Sequence, residues 1–180
     1  EVLFEAMHTG HSVYATVHAN TAAETIKRLT NPPINVPSSM LEAVNLNVVM
    51  FRDRKKGIRR IYQLAEFVPG KDGVAANILY RWVPEKDNII GHNTSMNLFE
   101  ELSRHTGMSQ LEINKDLEDK KDILNWLIKN KIRDLNSVGK VMNIYYTNRD
   151  DLSEIMKKND VNKVIYKQPE SKILNSRMEL

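Results

Sequence analysis

The stretch Thr9–Asn20, TGHSVYATVHAN, constrains the fold of this chain more than any other, because a helix end, a strand and a helix start meet in it. The preceding EVLFEAM reads as the middle of a helix, and Thr9-Gly10-His11 as its end. Val13–His18 (VYATVH) is a short apolar run rich in β-branched and aromatic residues, and reads as a buried strand. Asn20 and Thr21 follow as helix starters. Glu24 stands three residues after Thr21, so each side chain can satisfy a backbone amide left unpaired at the helix start. Ala22, Ala23, Ile26 and Leu29 recur at helical spacing, and Asn31-Pro32-Pro33 stops the helix, since a residue before proline is pushed out of the helical region.

Downstream the chain goes on mixing helices and strands. Pro37-Ser38-Ser39 opens a second helix, with Glu42 three residues after Ser39. Val48–Phe51 reads as a strand, Arg54–Gly57 as a basic turn and Arg60–Val68 as the antiparallel partner. Pro69–Gly73 turns into a strand at Ile78–Val83, and Pro84–Asn88 turns into a short edge strand at Ile89-Ile90. After Gly91 the pattern becomes helical. Asn93–Ser95 starts a helix carrying Leu98, Phe99 and Leu102, ended near Gly107. Ser109–Glu112 is a second capping box, flanked by Met108 and Ile113 as a hydrophobic staple, and opens a helix through Ile123 and Leu127. Asp134 or Asn136 starts another with Val138, Val141, Met142 and Tyr145 inward, and Asp151–Lys158 forms a last one. The expected organisation is an α/β portion over 1–91, a small all-α subdomain over 92–165 and a flexible tail over 166–180. With one centrally buried strand, the first portion makes an incomplete α/β sheet. That, with a start inside a helix, predicts the carboxy-terminal part of a longer protein.

Composition narrows the classes. Of 180 residues, 41% are hydrophobic and 27% charged, which suits a soluble globular chain. The absence of cysteine excludes disulfide and cysteine–zinc frameworks. No apolar run approaches the ~20 residues of a membrane span, and no signal peptide pattern is present; direct membrane insertion is not expected. The net charge of +3 is a weak bias, and its tightest run, Arg52–Arg60 (RDRKKGIRR), reads as a solvated hairpin rather than a nucleic-acid face.

A phosphate-binding GxxxxGK[S/T] loop is missing from these residues, as are GxGxxG and GxSxG. The histidines are the richer signal, since His8, His11 and His18 fall within eleven positions. Three readings stand. Zinc accepts imidazole ligands, although His8 and His11 would lie on a helix end while His18 ends a strand, with no nearby carboxylate beyond Glu5. Loop and core histidines are the second. The third is a ligand edge: Thr16 and His18 share one side of the strand, because side chains alternate, and open α/β sheets bind ligands beyond the carboxyl ends of their strands.

The whole wording of the stretch resembles the histidine box of the type II/IV secretion ATPase superfamily, whose members power type II secretion, type IV pili, type IV secretion and archaeal flagella. Thr9, Gly10, His11, Ala15, Thr16, His18, Ala19 and Asn20 fall on it, with Ala15 departing from the usual Ser or Thr. TAAETIKRL looks like the family's next helix, and PPINVPSSMLEAVNLNVVM, ILYRW and WLIKNKIRDLNSVGKVMNIYY resemble archaeal members, so the likeness covers about residues 1–160. The resemblance implies a RecA-like ATPase that assembles as a homo-hexamer and uses ATP and Mg²⁺. Its P-loop and acidic magnesium motif precede the box and so lie outside this chain. This chain by itself is then expected to be inactive and to hold no nucleotide tightly. By the same resemblance His18 contacts the γ-phosphate and Thr16 supports it, while His11, with Gly10 and Thr9, orders the loop beside the nucleotide. Arg59 and Arg60 become candidates for a subunit contact, since arginines can reach a neighbour's phosphate or acids. The helical block is the natural dock for a membrane-embedded platform protein, and the location implied is cytoplasmic, at the periphery of a membrane complex. The alternative is a non-enzymatic interaction module of a membrane-associated complex.

Overall fold

The computed structural model describes residues 2–71 and 73–166; the expected tail over 166–180 therefore lies, except for Tyr166, outside the described residues. The chain divides into two compact units, Glu1–Ile113 and Asn114–Leu180. This division does not fall at the change of pattern near Gly91.

The first unit is built on an antiparallel meander of four strands, β1 (Asn47–Asp53), β2 (Ile58–Gly70), β3 (Gly73–Val83) and β4 (Asn88–Gly91), in that order across the sheet. Sequence pattern places all four, but β2 and β3 are longer than expected, because Pro69 and Gly70 stay paired with Val74 and Gly73 up to the tight turn. Three helices accompany the sheet: α1 (Val2–His8), α2 (Ala22–Thr30) and α3 (Leu98–Thr106). The helix expected after Pro37 is a 3-10 helix over Ser38–Ala43 with no side-chain cap. Its core joins Phe4, Ala22, Leu41, Val49, Ala65 and Phe67.

Two side chains of β2 satisfy helix starts, which normally leave backbone amides unpaired. At α2, Thr21 Oγ1 accepts from Glu24 N at 3.0 Å and Glu24 Oε2 accepts from Asn20 N at 2.8 Å, the expected box closing one residue early. The buried Gln63 accepts Ala22 N at 3.0 Å. At α3 no cap side chain serves from Asn97; instead Glu66, 1% exposed, accepts Asn97 N and Leu98 N at 3.1 Å each, together with Met96 N. These bonds tie α3 to the sheet, which is why residues beyond Gly91 still belong to the first unit.

One expectation is overturned. Val13–His18 is no strand, buried or otherwise: residues 11–19 have no regular secondary structure, Tyr14 is 98% exposed and Val17 39%. Among the described residues no backbone hydrogen bond reaches Ser12–Ala19. A strand exists only through the ladder it shares with a neighbour, and the described strands pair only with one another. The described sheet is thus antiparallel throughout, with no strand whose carboxyl end presents Thr16 and His18.

In the second unit α4 (Gln110–Lys129, its first turn in the other unit), α5 (Leu135–Thr147) and α6 (Arg149–Lys158) enclose a core of Ile123, Leu127, Val141, Leu152, Ile155 and Val164. The capping box read at Ser109–Glu112 forms, Ser109 N donating to Glu112 Oε2 at 2.8 Å and Glu112 N to Ser109 Oγ at 3.4 Å. Of the two starts read for α5 it is Asp134 that caps, accepting Ser137 N at 2.8 Å. Inside the unit Tyr145 Oη donates to Asp116 at 2.6 Å while Lys120 and Arg149 pair with the same carboxylate. Burial and this hydrogen bond push the Tyr145 phenol up to about 12.

Candidate functional site

Thr9, Gly10 and His11 form the carboxyl cap of α1. Gly10 N donates to Met7 O at 3.1 Å and His11 N to Ala6 O at 3.0 Å, the paired pattern of a helix closed by a left-handed residue. Gly10 takes that conformation at φ +86°, where side-chain-bearing residues are strained, and nothing stands within 4 Å of where a Cβ would sit. Its role is thus backbone conformation and not close approach to a neighbouring atom. Thr9 Oγ1 donates back to Ala6 O at 3.0 Å or Glu5 O at 3.2 Å. The His11 ring joins them, Nδ1 lying 3.1 Å from Thr9 Oγ1 and 3.3 Å from Ala6 O. The tautomer sets the role of Nδ1: with a proton it donates to Ala6 O, without one it accepts from Thr9 Oγ1. The three residues act as one device that ends α1 and aims the chain into the segment that follows.

Thr16 and His18 lie in that segment, which has no regular secondary structure. Both are exposed, and neither side chain makes a hydrogen bond among the described residues. No hydrogen bond joins them to the cap, so the box falls into an ordered amino-terminal corner and an unengaged continuation. It ends where α2 begins, Asn20 Nδ2 donating to Glu24 Oε2 at 3.1 Å. The zinc reading finds no support in the fold: among the described residues no three histidine or carboxylate side chains gather to hold a metal ion.

The two arginines part company. Arg60 is held by its own chain, with Nε 2.6 Å and Nη2 2.5 Å from the two oxygens of Asp87, which also accepts Trp82 Nε1 at 2.9 Å. The Arg60 guanidinium, then the indole N–H, hold the Asp87 carboxyl down at about 2. Arg59 is exposed, makes no ion pair among the described residues and stands directly across the ladder from Arg52.

Glu66 escaped the sequence reading. Burial alone would raise its pKa, but the bonds from Met96 N, Asn77, Asn97 N and Leu98 N outweigh it and leave the carboxyl below its ordinary value. Its signal was a lone charge inside the apolar run LAEFV; its backbone partners Met96 to Leu98, about thirty residues on, had none.

Residues 1–56 match the family described as Type II/IV secretion system protein, a span that includes the whole of Thr9–Asn20 and β1. Three uncharacterized proteins of Methanocaldococcus jannaschii are similar over most of this chain: 34% identical over 81% of it, 37% over 76% and 32% over 73%. The chain spans only 28%, 20% and 50% of their respective lengths. No described helix is long and apolar enough to cross a membrane. What the comparisons establish is a likeness to secretion-system proteins over residues 1–56, which include the α1 cap and the segment after it.

Proposed function

We propose that this chain is part of a ring-forming ATPase that powers secretion or the assembly of pili or archaeal flagella, and that Thr9–Asn20 is its nucleotide-facing edge. The observation that carries the reading is the coincidence of the family match over residues 1–56 with the cap and its continuation. In the complete protein Val13–His18 becomes a strand of a RecA-like sheet, paired with segments outside this chain; its unpaired backbone and exposed apolar side chains suit that role. The P-loop and the acidic motif that holds Mg²⁺ lie outside these residues as well.

The chemistry of the donors fits an anionic oxygen. The hydroxyl of Thr16 and the imidazole N–H of His18 have no partner among the described residues, and both can donate to a phosphate. Bound ATP with its Mg²⁺ supplies the transferable γ-phosphoryl group, and the protein's part in such reactions is positioning and charge stabilisation. His18 donates to the γ-phosphate oxygens and stabilises their charge, Thr16 supports it, and the Thr9–Gly10–His11 cap fixes where the segment starts. The subunits form a homo-hexamer at the cytoplasmic face of a membrane-embedded platform protein.

The test is made in the complete protein. His18→Ala is expected to lower kcat for ATP hydrolysis on the order of 10²-fold, the usual cost of one transition-state donor, while ring formation by size-exclusion chromatography stays unchanged. Hydrolysis at the unsubstituted rate would remove the reading. The 180-residue chain by itself is expected to show no turnover.

A further inference from the structure

The first unit is electrically polarised along its sheet. Over residues 1–113 acidic and basic side chains balance at twelve each. Seven of the twelve basic residues sit in two adjacent segments, Arg52–Arg60 and Pro84–Asp87, with only three acids among them. In the antiparallel meander both turns lie at the same end of the sheet. Asp53 is used locally: its Oδ1 accepts Lys55 N at 2.8 Å and Lys56 N at 3.1 Å, which shapes the turn, and Asp87 is used by Arg60 and Trp82. Arg52, Arg54, Lys55, Lys56 and Arg59 are left exposed and make no ion pair among the described residues. Arg52 and Arg59 face each other directly across the ladder, an arrangement that costs stability by itself.

At the other end of the sheet lies a groove of about 240 Å³ beside the start of β1. Glu42, Glu100 and Glu101 line it, over apolar walls from Val44, Phe67 and Leu98. Glu101 is partly neutralised by Arg104, but Glu42 and Glu100 are exposed and without an ion pair among the described residues. Basic tip and acidic groove are separated by about nine residues of β2, roughly 30 Å at the rise of a strand.

We infer that the basic hairpin tip of one copy docks in the acidic groove of a second copy, head to tail. The partner is argued from the charge pattern. A face built for nucleic acid or an anionic membrane leaves its domain basic, whereas this unit is neutral and carries its own complement. Lysine and arginine stems can lie along the apolar walls while their charges reach the carboxylates. Joining one end of a subunit to the opposite end of the next is the heterologous contact that closes rings. The inference names a contact surface for the ring proposed above and rests on that reading only for closure, since the association itself needs no nucleotide.

The test is sedimentation velocity of the 180-residue chain, from about 10 µM to about 0.5 mM, in about 50 mM and about 500 mM NaCl. Self-association is expected in low salt and is expected to weaken roughly tenfold in high salt. K55E/K56E/R59E and E42K/E100K are each expected to weaken it by at least about tenfold, and an equimolar mixture of the two to restore it, because each then offers the other a complementary end. Should a reversed variant fold poorly by circular dichroism, K55A/K56A is expected to give a smaller loss in the same direction. A wild-type chain that stays monomeric overturns the inference, as does unchanged association in either variant, or a mixture that fails to recover. Binding of the wild-type tip to anionic vesicles or single-stranded nucleic acid without self-association also overturns it. None of these outcomes depends on ATP, so a failed His18→Ala test leaves them standing.

Discussion

At Glu66 a single carboxylate decides how the first unit is assembled. It is the one buried charged side chain among the described residues, and it accepts from three successive backbone amides, Met96 to Leu98, and from Asn77 and Ser95. Removing it leaves the partly buried Met96 N and Asn97 N at the start of α3 without this acceptor, while Leu98 N keeps Ser95 Oγ at 3.1 Å; an unmade bond is the costly half of a lost hydrogen bond. Glu66→Ala is therefore expected to lower unfolding stability by about 2–3 kcal/mol in urea denaturation. The same bonds set a pH dependence. The folded-state pKa lies below the ordinary 4.5, so the folded state holds fewer protons at mildly acidic pH than the unfolded chain. The contribution is present in full above the ordinary value and is lost as pH falls below it through the folded-state value. Urea midpoints measured between pH 6 and 3 should fall less in Glu66→Ala than in the wild type; parallel falls would assign the acid sensitivity to other carboxylates.

At the scale of elements, caps and turns carry the local order, and they were the most legible part of the sequence. Glu24 after Thr21, Glu112 after Ser109, Asn31 before Pro32 and Gly107 at φ +72° each fix a helix boundary through a contact a few residues away. Such signals survive in sequence because donor and acceptor are close along the chain. The segment Val13–His18 shows the converse. Its β-branched composition records a propensity, but a ladder needs a partner, and none of the described strands supplies one. The stretch Thr9–Asn20 was legible as a pattern and not as a geometry: Gly10 and His11 were readable as a helix end, while the surroundings of Thr16 and His18 were not. The cap itself makes a clean prediction. With open space around its Cβ position, Gly10→Ala meets only backbone strain, about 1 kcal/mol at a left-handed residue. Hydrogen exchange at the Gly10 and His11 amides should accelerate roughly fivefold, whereas Thr21→Ala, which removes a side-chain cap, should cost α2 about 1 kcal/mol. Unchanged exchange in Gly10→Ala would mean that the glycine is not what closes α1.

For the whole molecule, each unit has its own core and its own tryptophan. Trp82 lies in β3, its ring 5.1 Å from Phe51 and its N–H on Asp87. Trp126 lies in α4, where its N–H donates to Asn159 Oδ1 at 2.8 Å. The first unit draws on pairings across a four-stranded meander and on the Glu66 bonds that reach thirty residues along the chain, while the second is a set of consecutive helices with short connections. Stability terms of such different origin have no reason to vanish at the same denaturant concentration, and the two cores share no residue. Trp126→Phe leaves Trp82 to report the first unit, and Trp82→Phe leaves Trp126 to report the second. Urea unfolding followed by fluorescence in the two variants is expected to give distinct midpoints, with far-UV circular dichroism of the wild type spanning both; coincident midpoints would mean that the units melt as one cooperative body. The acid dependence separates them further. Glu66 belongs to the first unit and Asp116, also held below its ordinary value, to the second, so Glu66→Ala should lower the Trp82 midpoint and reduce its fall between pH 6 and 3 while leaving the Trp126 midpoint and its own acid dependence in place.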